Sequence, residues 1–313
     1  MLGLLNTEAR ARGLPSCVLT FEPHPRDYFA AITKRPELAP ARIGTLRDKL
    51  DQLAASGVAQ TIVLPFDSRL ASQTPEEFIR HVLIEGLGAR YVLVGDDFRF
   101  GARRAGDYAM LDEAGSQHGF DVARMNSYEV HGLRVSSSAV REALAEGRMA
   151  DAQTLLGRPY AISGHVVHGR KLGRALGASA PGREDGFRTL NLRFKHWKPA
   201  ASGIFAVLVH GLTAQPLPGV ANLGVRPSLD ANDVNGGRVL LETHCLEWPS
   251  DLGAEGAYGK IVRVELLHKL HDELRYTSLE ALTAGIAKDG RDARAFFAST
   301  HAETRRQTTR DRI

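Results

Sequence analysis

The stretch ISGHVVHGRKLGRALGASAPGREDGFRTLNL, Ile162 to Leu192, decides how the rest of the chain reads. It is dense in glycine and in Lys or Arg, and it lies between two runs with strand-like alternation. Glycine lets a backbone come close to a ligand and take positive φ, so successive N–H groups can converge on anionic oxygens. Gly169 and Gly173 supply that freedom, while Arg170, Lys171 and Arg174 add charge. Taken alone, the same composition describes a basic surface loop in water. The residues at its carboxyl end narrow the choice: Phe187, Thr189 and Asn191 occupy alternate positions, which puts a hydroxyl and a carboxamide on one strand face, in reach of a metal ion and the phosphates it bridges.

Outward from this stretch the chain changes character. From Cys17 to Gly157 strand and helix patterns alternate: strands at Cys17–Phe21, Thr61–Leu64, Tyr91–Val94 and Phe120–Ala123, helices at Thr45–Ser56, Pro75–Leu87 and Tyr108–His118. That order predicts a doubly wound parallel sheet, whose ligands sit at the carboxyl ends of the strands. Residues 1–13 have the pattern of the end of a helix, with no strand before them to complete a βαβ unit, so the chain is expected to begin mid-fold. After Gly157 come six runs of period two, at Ala161–Val167, Thr189–Phe194, Ile204–Val209, Gly219–Leu223, Val239–Leu246 and Ile261–Leu267, which predict a closed antiparallel barrel. Helices are expected at Leu279–Ala287 and near Ala293–Ala298, with residues 301–313 a polar tail that frays.

The 313 residues suit two domains. With 43% hydrophobic and 24% charged residues, and no apolar run near the roughly 18 that a membrane span needs, insertion in a bilayer is not expected. Glu8 and Arg10 interrupt what would be the apolar part of an export signal, and two distant cysteines, Cys17 and Cys245, form neither a disulfide framework nor a metal cluster. A reducing cytoplasm is the expected setting. The net charge of +4 and pI near 9.1 suit small anionic ligands. No basic stripe interleaved with aromatics argues for nucleic acid. Oligomeric state is left open.

Two further constellations carry chemistry. Ser136, Ser137 and Ser138 precede an amphipathic helix with Arg141 one turn on, so hydroxyls, free N–H groups and a guanidinium can gather around an anion. An N-cap serine and a surface arginine would give the same letters. Near the ends of the first and third strands lie Glu22-Pro23-His24-Pro25 and Gly95-Asp96-Asp97-Phe98-Arg99-Phe100-Gly101. Phe98 and Phe100 offer apolar faces for a planar ring, and Asp96 and Asp97 offer acceptors for hydroxyls. Alternatively the two aspartates make a turn and Phe98 anchors the core. In LLETHCLEW, Leu240, Glu242 and His244 share a face, and Glu242 is either solvent-facing or a pocket carboxylate. His168 and His244 read as hydrogen-bonded histidines, not metal ligands.

GHVVHGRKLGR with GFRTLNL resembles the nucleotide loop and Pro-Thr-x-Asn motif of riboflavin kinase. VSSSAVR resembles the Ser-Ser-Thr-x-Ile-Arg motif of the nucleotidylyltransferases, and VGDDFRFG with Glu22-Pro23-His24-Pro25 is similar to the flavin loops of bacterial FMN adenylyltransferases. From about Leu14 to Phe297 the chain is similar to the bacterial bifunctional riboflavin kinase and FMN adenylyltransferase family. The resemblance implies a Rossmann-like α/β nucleotidylyltransferase domain, incomplete at its start, over residues 1–157. A six-stranded antiparallel riboflavin kinase barrel with C-terminal helices would then occupy residues 158–300. It implies Glu242 as general base, Thr189 and Asn191 as Mg²⁺ ligands, and Gly169, Lys171, Gly173 and Arg174 at the ATP phosphates of the kinase. Ser136, Ser137, Ser138 and Arg141 would hold ATP in the first domain, and Pro23, His24, Gly95, Asp96, Asp97 and Phe98 the flavin. Substrates would be riboflavin, FMN and ATP, with FMN and FAD as products.

Three departures qualify the match. The family's Gly-x-Phe-Asp-Gly-x-His-x-Gly-His opening is not in the sequence; residues 177–185 interrupt the kinase loop; and Arg188 stands where a proline is usual. The expectations are that little FAD forms and FMN accumulates, and that the insertion is neutral, because loop closure costs only the logarithm of length. Kinase activity alone, or a non-catalytic flavin-binding protein, are the alternatives.

Overall fold

The computed structural model describes residues 1–125, 129–130, 132–168, 189–194, 198–226, 238–253 and 255–310. The chain divides into two compact units, one of Met1–Pro40 with Lys49–Arg134, the other of Ala41–Asp48 with Val135–Ile313. The boundary expected after Gly157 therefore falls inside the second unit.

The first unit carries α1 (Leu2–Ala11), β1 (Cys17–Glu22), α2 (Pro25–Ile32), β2 (Gln60–Pro65), α4 (Ser68–Ser72), α5 (Pro75–Phe78), β3 (Tyr91–Gly95), α6 (Tyr108–His118), β4 (Asp121–Met125) and a short pair, β5 (Glu129–Val130) and β6 (Leu133–Arg134); α3 spans Leu46–Ala55. Local chemistry sets these ends. Thr74 and Glu77 form a reciprocal capping box, with Pro75 inside the first turn of α5. Asp107 caps α6, which closes at Gly119 with φ 76°. The helix expected over Pro75–Leu87 instead passes into π geometry at Ile79–Gly86. β1 pairs with β2 and β3 with β4, all in parallel. Among the described residues these are two separate two-stranded pieces of the expected parallel sheet. Phe78, Ile79, Leu83, Val94, Phe100, Leu111 and Phe120 form the core.

The second unit carries α7 (Ser137–Ala145), α8 (Met149–Leu156), six strands and a terminal helix. The strands are β7 (Tyr160–Val167), β8 (Thr189–Phe194), β9 (Gly203–His210), β10 (Leu217–Arg226), β11 (Arg238–Cys245) and β12 (Ile261–His271). They close into a barrel in the order β10-β11-β8-β7-β12-β9. Alternate residues point inward, so Ile162, Leu190, Leu192, Phe205, Val207, Leu223, Leu241 and Val264 fill the interior. Val140, Leu144, Ala152 and Leu155 of α7 and α8 belong to the same cluster. Among the described residues β8 meets β7 at Val166–Leu192 and Val167–Asn191, near the end of β7. Asp48 also meets β7, one carboxylate oxygen accepting from the Ser163 N–H at 2.9 Å.

One continuous helix, α9 (Leu279–Arg310), stands where two helices were expected from sequence and takes in residues 301–310 of the expected tail; residues 311–313 lie outside the described residues. Gly290 lies inside it without ending it, because a Lys288–Asp292 pair at 2.7 Å spans that turn and Phe296 stacks on His268 at 5.1 Å. His271 at the end of β12 meets Asp289 of α9 at 2.9 Å and the Asp272 carbonyl at 2.6 Å. Burial works against the imidazolium, but the Asp289 and Asp272 hydrogen bonds outweigh it and, with Lys288 opposing, hold His271 above its ordinary pKa. A raised folded value means the stabilisation is complete below about pH 6.5 and is lost as pH rises through the folded pKa. His271→Gln should remove that dependence and cost roughly 1–2 kcal/mol at pH 6. Melting curves from pH 5.5 to 8.5 check it; parallel curves for both proteins would refute it.

Candidate functional site

Three strands of the barrel bring the polar residues of the second unit into rows. In the register of β8, β11 and β10, Asn191 lies opposite Glu242, and Glu242 opposite Asn222. The next row is Thr189, His244 and Val220. Because neighbours in a row share a face, and Leu190, Leu241 and Ala221 point into the core, these rows lie on the outer face of the barrel. Glu242 and His244 are half-buried, while Asn191 is 4% exposed. The Asn191 Nδ2 donates to the Thr189 carbonyl at 3.2 Å. That contact decides which end of the carboxamide is committed, and leaves the oxygen as the end that can face a ligand.

The residue before the glycine-rich stretch is braced. His168 packs its ring on Tyr258 with centroids 3.8 Å apart, and its carbonyl accepts from Arg193 at 3.1 Å. Gly169, Lys171, Gly173 and Arg174, with Arg188 and the inserted residues 177–185, lie outside the described residues. Cys245 is buried on the core side of β11, where burial pushes its thiol up to about 12, so it is no nucleophile.

Ser136 is the N-cap of α7, its hydroxyl accepting from the Ala139 N–H at 3.1 Å. Ser137 and Ser138 are exposed at the first turn. Arg141 is partly committed, its Nε donating to the Ala41 carbonyl at 2.6 Å. The expected anion cradle therefore has two outward hydroxyls, while the Ser136 hydroxyl and the Arg141 Nε serve the fold.

In the first unit, Pro23 follows the carboxyl end of β1, and His24 caps α2 by accepting from the Arg26 N–H at 3.2 Å. At the end of β3, Gly95 leads into Asp96 and Asp97, both exposed, with Asp96 facing Arg134 at 3.6 Å. Phe98 is half-buried and stacks on Phe100 at 5.4 Å. Phe100 departs from expectation. It is 7% exposed and packs on Phe78, so it anchors the core and offers no face to a ligand. Phe98 keeps one face available at most.

Two residues matter that the sequence did not single out. Asn222 completes the row with Glu242; it lies in the run Gly219 to Ser228, which also resembles a segment of the family, but within that run only its alternation with Ala221 and Leu223 marked it. Asp48, 8% exposed, carries the contact to Ser163, and nothing local marks that partner 115 residues away.

An α/β unit of parallel strands, joined to a barrel whose outer face carries a carboxylate beside a threonine–asparagine pair, defines a two-domain class of nucleotide-handling transferases. The FAD synthetase family matches residues 1–139, and the riboflavin kinase family residues 156–297. The bifunctional riboflavin kinase/FMN adenylyltransferase of Escherichia coli K12 is 43% identical over 95% of this chain and 87% of its own length. The enzymes of that name from Pseudomonas fluorescens and Haemophilus influenzae are 40% and 38% identical, over 95% and 94% of this chain and 88% of each relative. A crystal structure described as a macrolide-efflux protein from Streptococcus pneumoniae matches with a TM-score of 0.68 and 24% identity, over 94% of this chain and 88% of that one. At that identity it carries the fold alone. The chain belongs to the bifunctional riboflavin kinase/FMN adenylyltransferase family.

Proposed function

We propose that this chain makes flavin cofactors in two steps, with residues 158–300 phosphorylating riboflavin to FMN, residues 1–157 adenylylating FMN to FAD, and residues 301–313 a tail. The observation that carries the kinase reading is the row that sets Glu242 beside Asn191, one step from Thr189. In the first step the terminal ribityl oxygen attacks the γ-phosphorus of ATP, the bond to the β–γ bridging oxygen breaks, and ADP leaves. Glu242 takes the hydroxyl proton. In the second, an FMN phosphate oxygen attacks the α-phosphorus and pyrophosphate leaves. That step needs alignment and charge stabilisation, not a strong base.

Thr189 and Asn191 fit a hard cation. Both offer oxygen, the Asn191 amide nitrogen is turned away to the backbone, and no cluster of three His, Cys, Asp or Glu exists among the described residues. Mg²⁺ favours such sparse protein sites completed by phosphate oxygens and water, and when bound would neutralise charge on the transferring phosphate. Gly169, Lys171, Gly173 and Arg174 would hold the rest of the triphosphate. For the second step Ser137 and Ser138, with the Arg141 guanidinium, would hold ATP; Asp96, Asp97 and one face of Phe98, beside Pro23 and His24, would hold the flavin. We place the protein in the cytoplasm, in keeping with Cys17 and Cys245 as free thiols.

Kinase activity alone is the second reading, favoured by one observation: among the described residues the parallel strands form two separate pairs, so the loops after β1 and β3 leave different pairs. Purified protein with riboflavin, ATP and Mg²⁺, with FMN and FAD followed separately by chromatography, decides between them. FMN followed by FAD is the outcome of the first reading and FMN alone of the second. Neither product, with riboflavin still bound, would leave a flavin-binding protein.

A further inference from the structure

We infer that Asn222 is a riboflavin-binding residue of the barrel, its side-chain oxygen accepting a hydrogen bond from the terminal ribityl hydroxyl and so aiming that oxygen past Glu242. This rests on the kinase reading above. Three observations carry it. Asn222 lies directly opposite Glu242 in the β10–β11 register, on the face that also holds Thr189 and Asn191. Directly opposed residues have Cβ atoms about 5 Å apart, so one small group can touch both. Its Oδ1 is shut off from water and has no hydrogen-bond partner among the described residues. A sealed acceptor without a donor is a standing cost to the fold, and such groups are rare enough to ask what satisfies them.

The surroundings say what kind of group that is. Two residues along the same face, Gly224 has no side chain, and a Cβ there would collide with the Glu273 carboxylate. The patch around Asn222 is thus bounded by two carboxylates, Glu242 and Glu273. Acceptors and negative charge repel a triphosphate and welcome hydroxyl donors, which the ribityl chain supplies in series. Asn222 as a whole is half-buried, so a turn about its soft terminal torsion brings the oxygen to the open side.

The geometry makes an unusual demand on mutagenesis. A residue kept for structure should destabilise the barrel when changed, but here the carboxamide oxygen is unsatisfied, so Asn222→Leu should melt no lower than wild type while binding riboflavin worse. We expect the riboflavin dissociation constant, read from quenching of flavin fluorescence, and the riboflavin KM each to rise roughly tenfold, the size of one lost hydrogen bond with its partner left unpaired. Asn222→Ala should show the same direction. The KM for ATP and the Mg²⁺ concentration for half-maximal rate should not move. Unchanged riboflavin binding would overturn the inference, as would a fall in melting temperature in parallel with activity. A shifted Mg²⁺ requirement with unaltered riboflavin KM would give Asn222 to the metal and overturn it too. Wild type that binds riboflavin without making FMN, with weaker binding in Asn222→Leu, would defeat the kinase reading and leave this contact standing.

Discussion

Glu242→Gln is expected to lower the rate of FMN formation by roughly 10² to 10⁴ while riboflavin binding, read from flavin fluorescence, stays within about threefold. The substitution keeps the size and shape of the side chain and its place between Asn191 and Asn222, and removes only the ability to take a proton. The attacking hydroxyl is a poor nucleophile until that proton begins to leave, so the loss should appear in kcat and not in KM. A general-base role also predicts that the rate gains less from raised pH in the variant than in wild type. Wild-type turnover in Glu242→Gln would remove this residue from the mechanism and return it to the solvent-facing strand residue that the alternation alone allows.

The second large effect concerns stability. Asp48→Ala is expected to cost about 2–4 kcal/mol, seen as a fall of roughly 5–10 °C in melting temperature. One Asp48 oxygen accepts from the Thr45 N–H at 2.8 Å and the Thr45 hydroxyl at 2.7 Å, closing the start of α3, while the other holds the Ser163 N–H. Alanine undoes both and strands a buried N–H on β7. Asp48→Asn keeps one acceptor oxygen and should fall between. Nearby, the Arg42 N–H donates to the Lys198 carbonyl at 2.7 Å, and Ala41 and Ile43 pack on the barrel core. For the same reason a fragment beginning at Arg158 should melt well below the full chain, although it holds Thr189, Asn191 and Glu242. It lacks the 41–48 strap together with α7 and α8. Equal melting temperatures for Asp48→Ala and wild type would show that the strap only lies on the surface.

The strands were legible because their alternation is local. In β8, Thr189 and Asn191 alternate with Leu190 and Leu192, and in β11 Leu240, Glu242 and His244 alternate with Leu241, Thr243 and Cys245. A period of two can satisfy water on one side and a core on the other only in a sheet. The helix ends near Thr74, Asp107 and Ser136 were legible for the same reason, since a cap is satisfied within three residues of itself. The ends of α9 were not. Its continuation past Gly290 depends on His268 and Asp289 meeting partners across the β12–α9 contact, which helix propensity does not contain.

By itself, then, the sequence determined the ten main strands and their order, the barrel that comes after the α/β part, and the family, because each of those is written in spacing and motif. What only the tertiary structure decided is which side chains are already spent and which are left over. Phe100 had the look of a flavin platform until its packing on Phe78 made it core; Arg141 had the look of a surface cation until its Nε reached Ala41. Asn222 became a candidate only when strand register set it against Glu242, and Asp48 only when a contact across 115 residues joined it to Ser163. Hydrogen bonds and packing are settled by proximity in space, and for residues far apart along a chain that proximity exists only once the chain has closed.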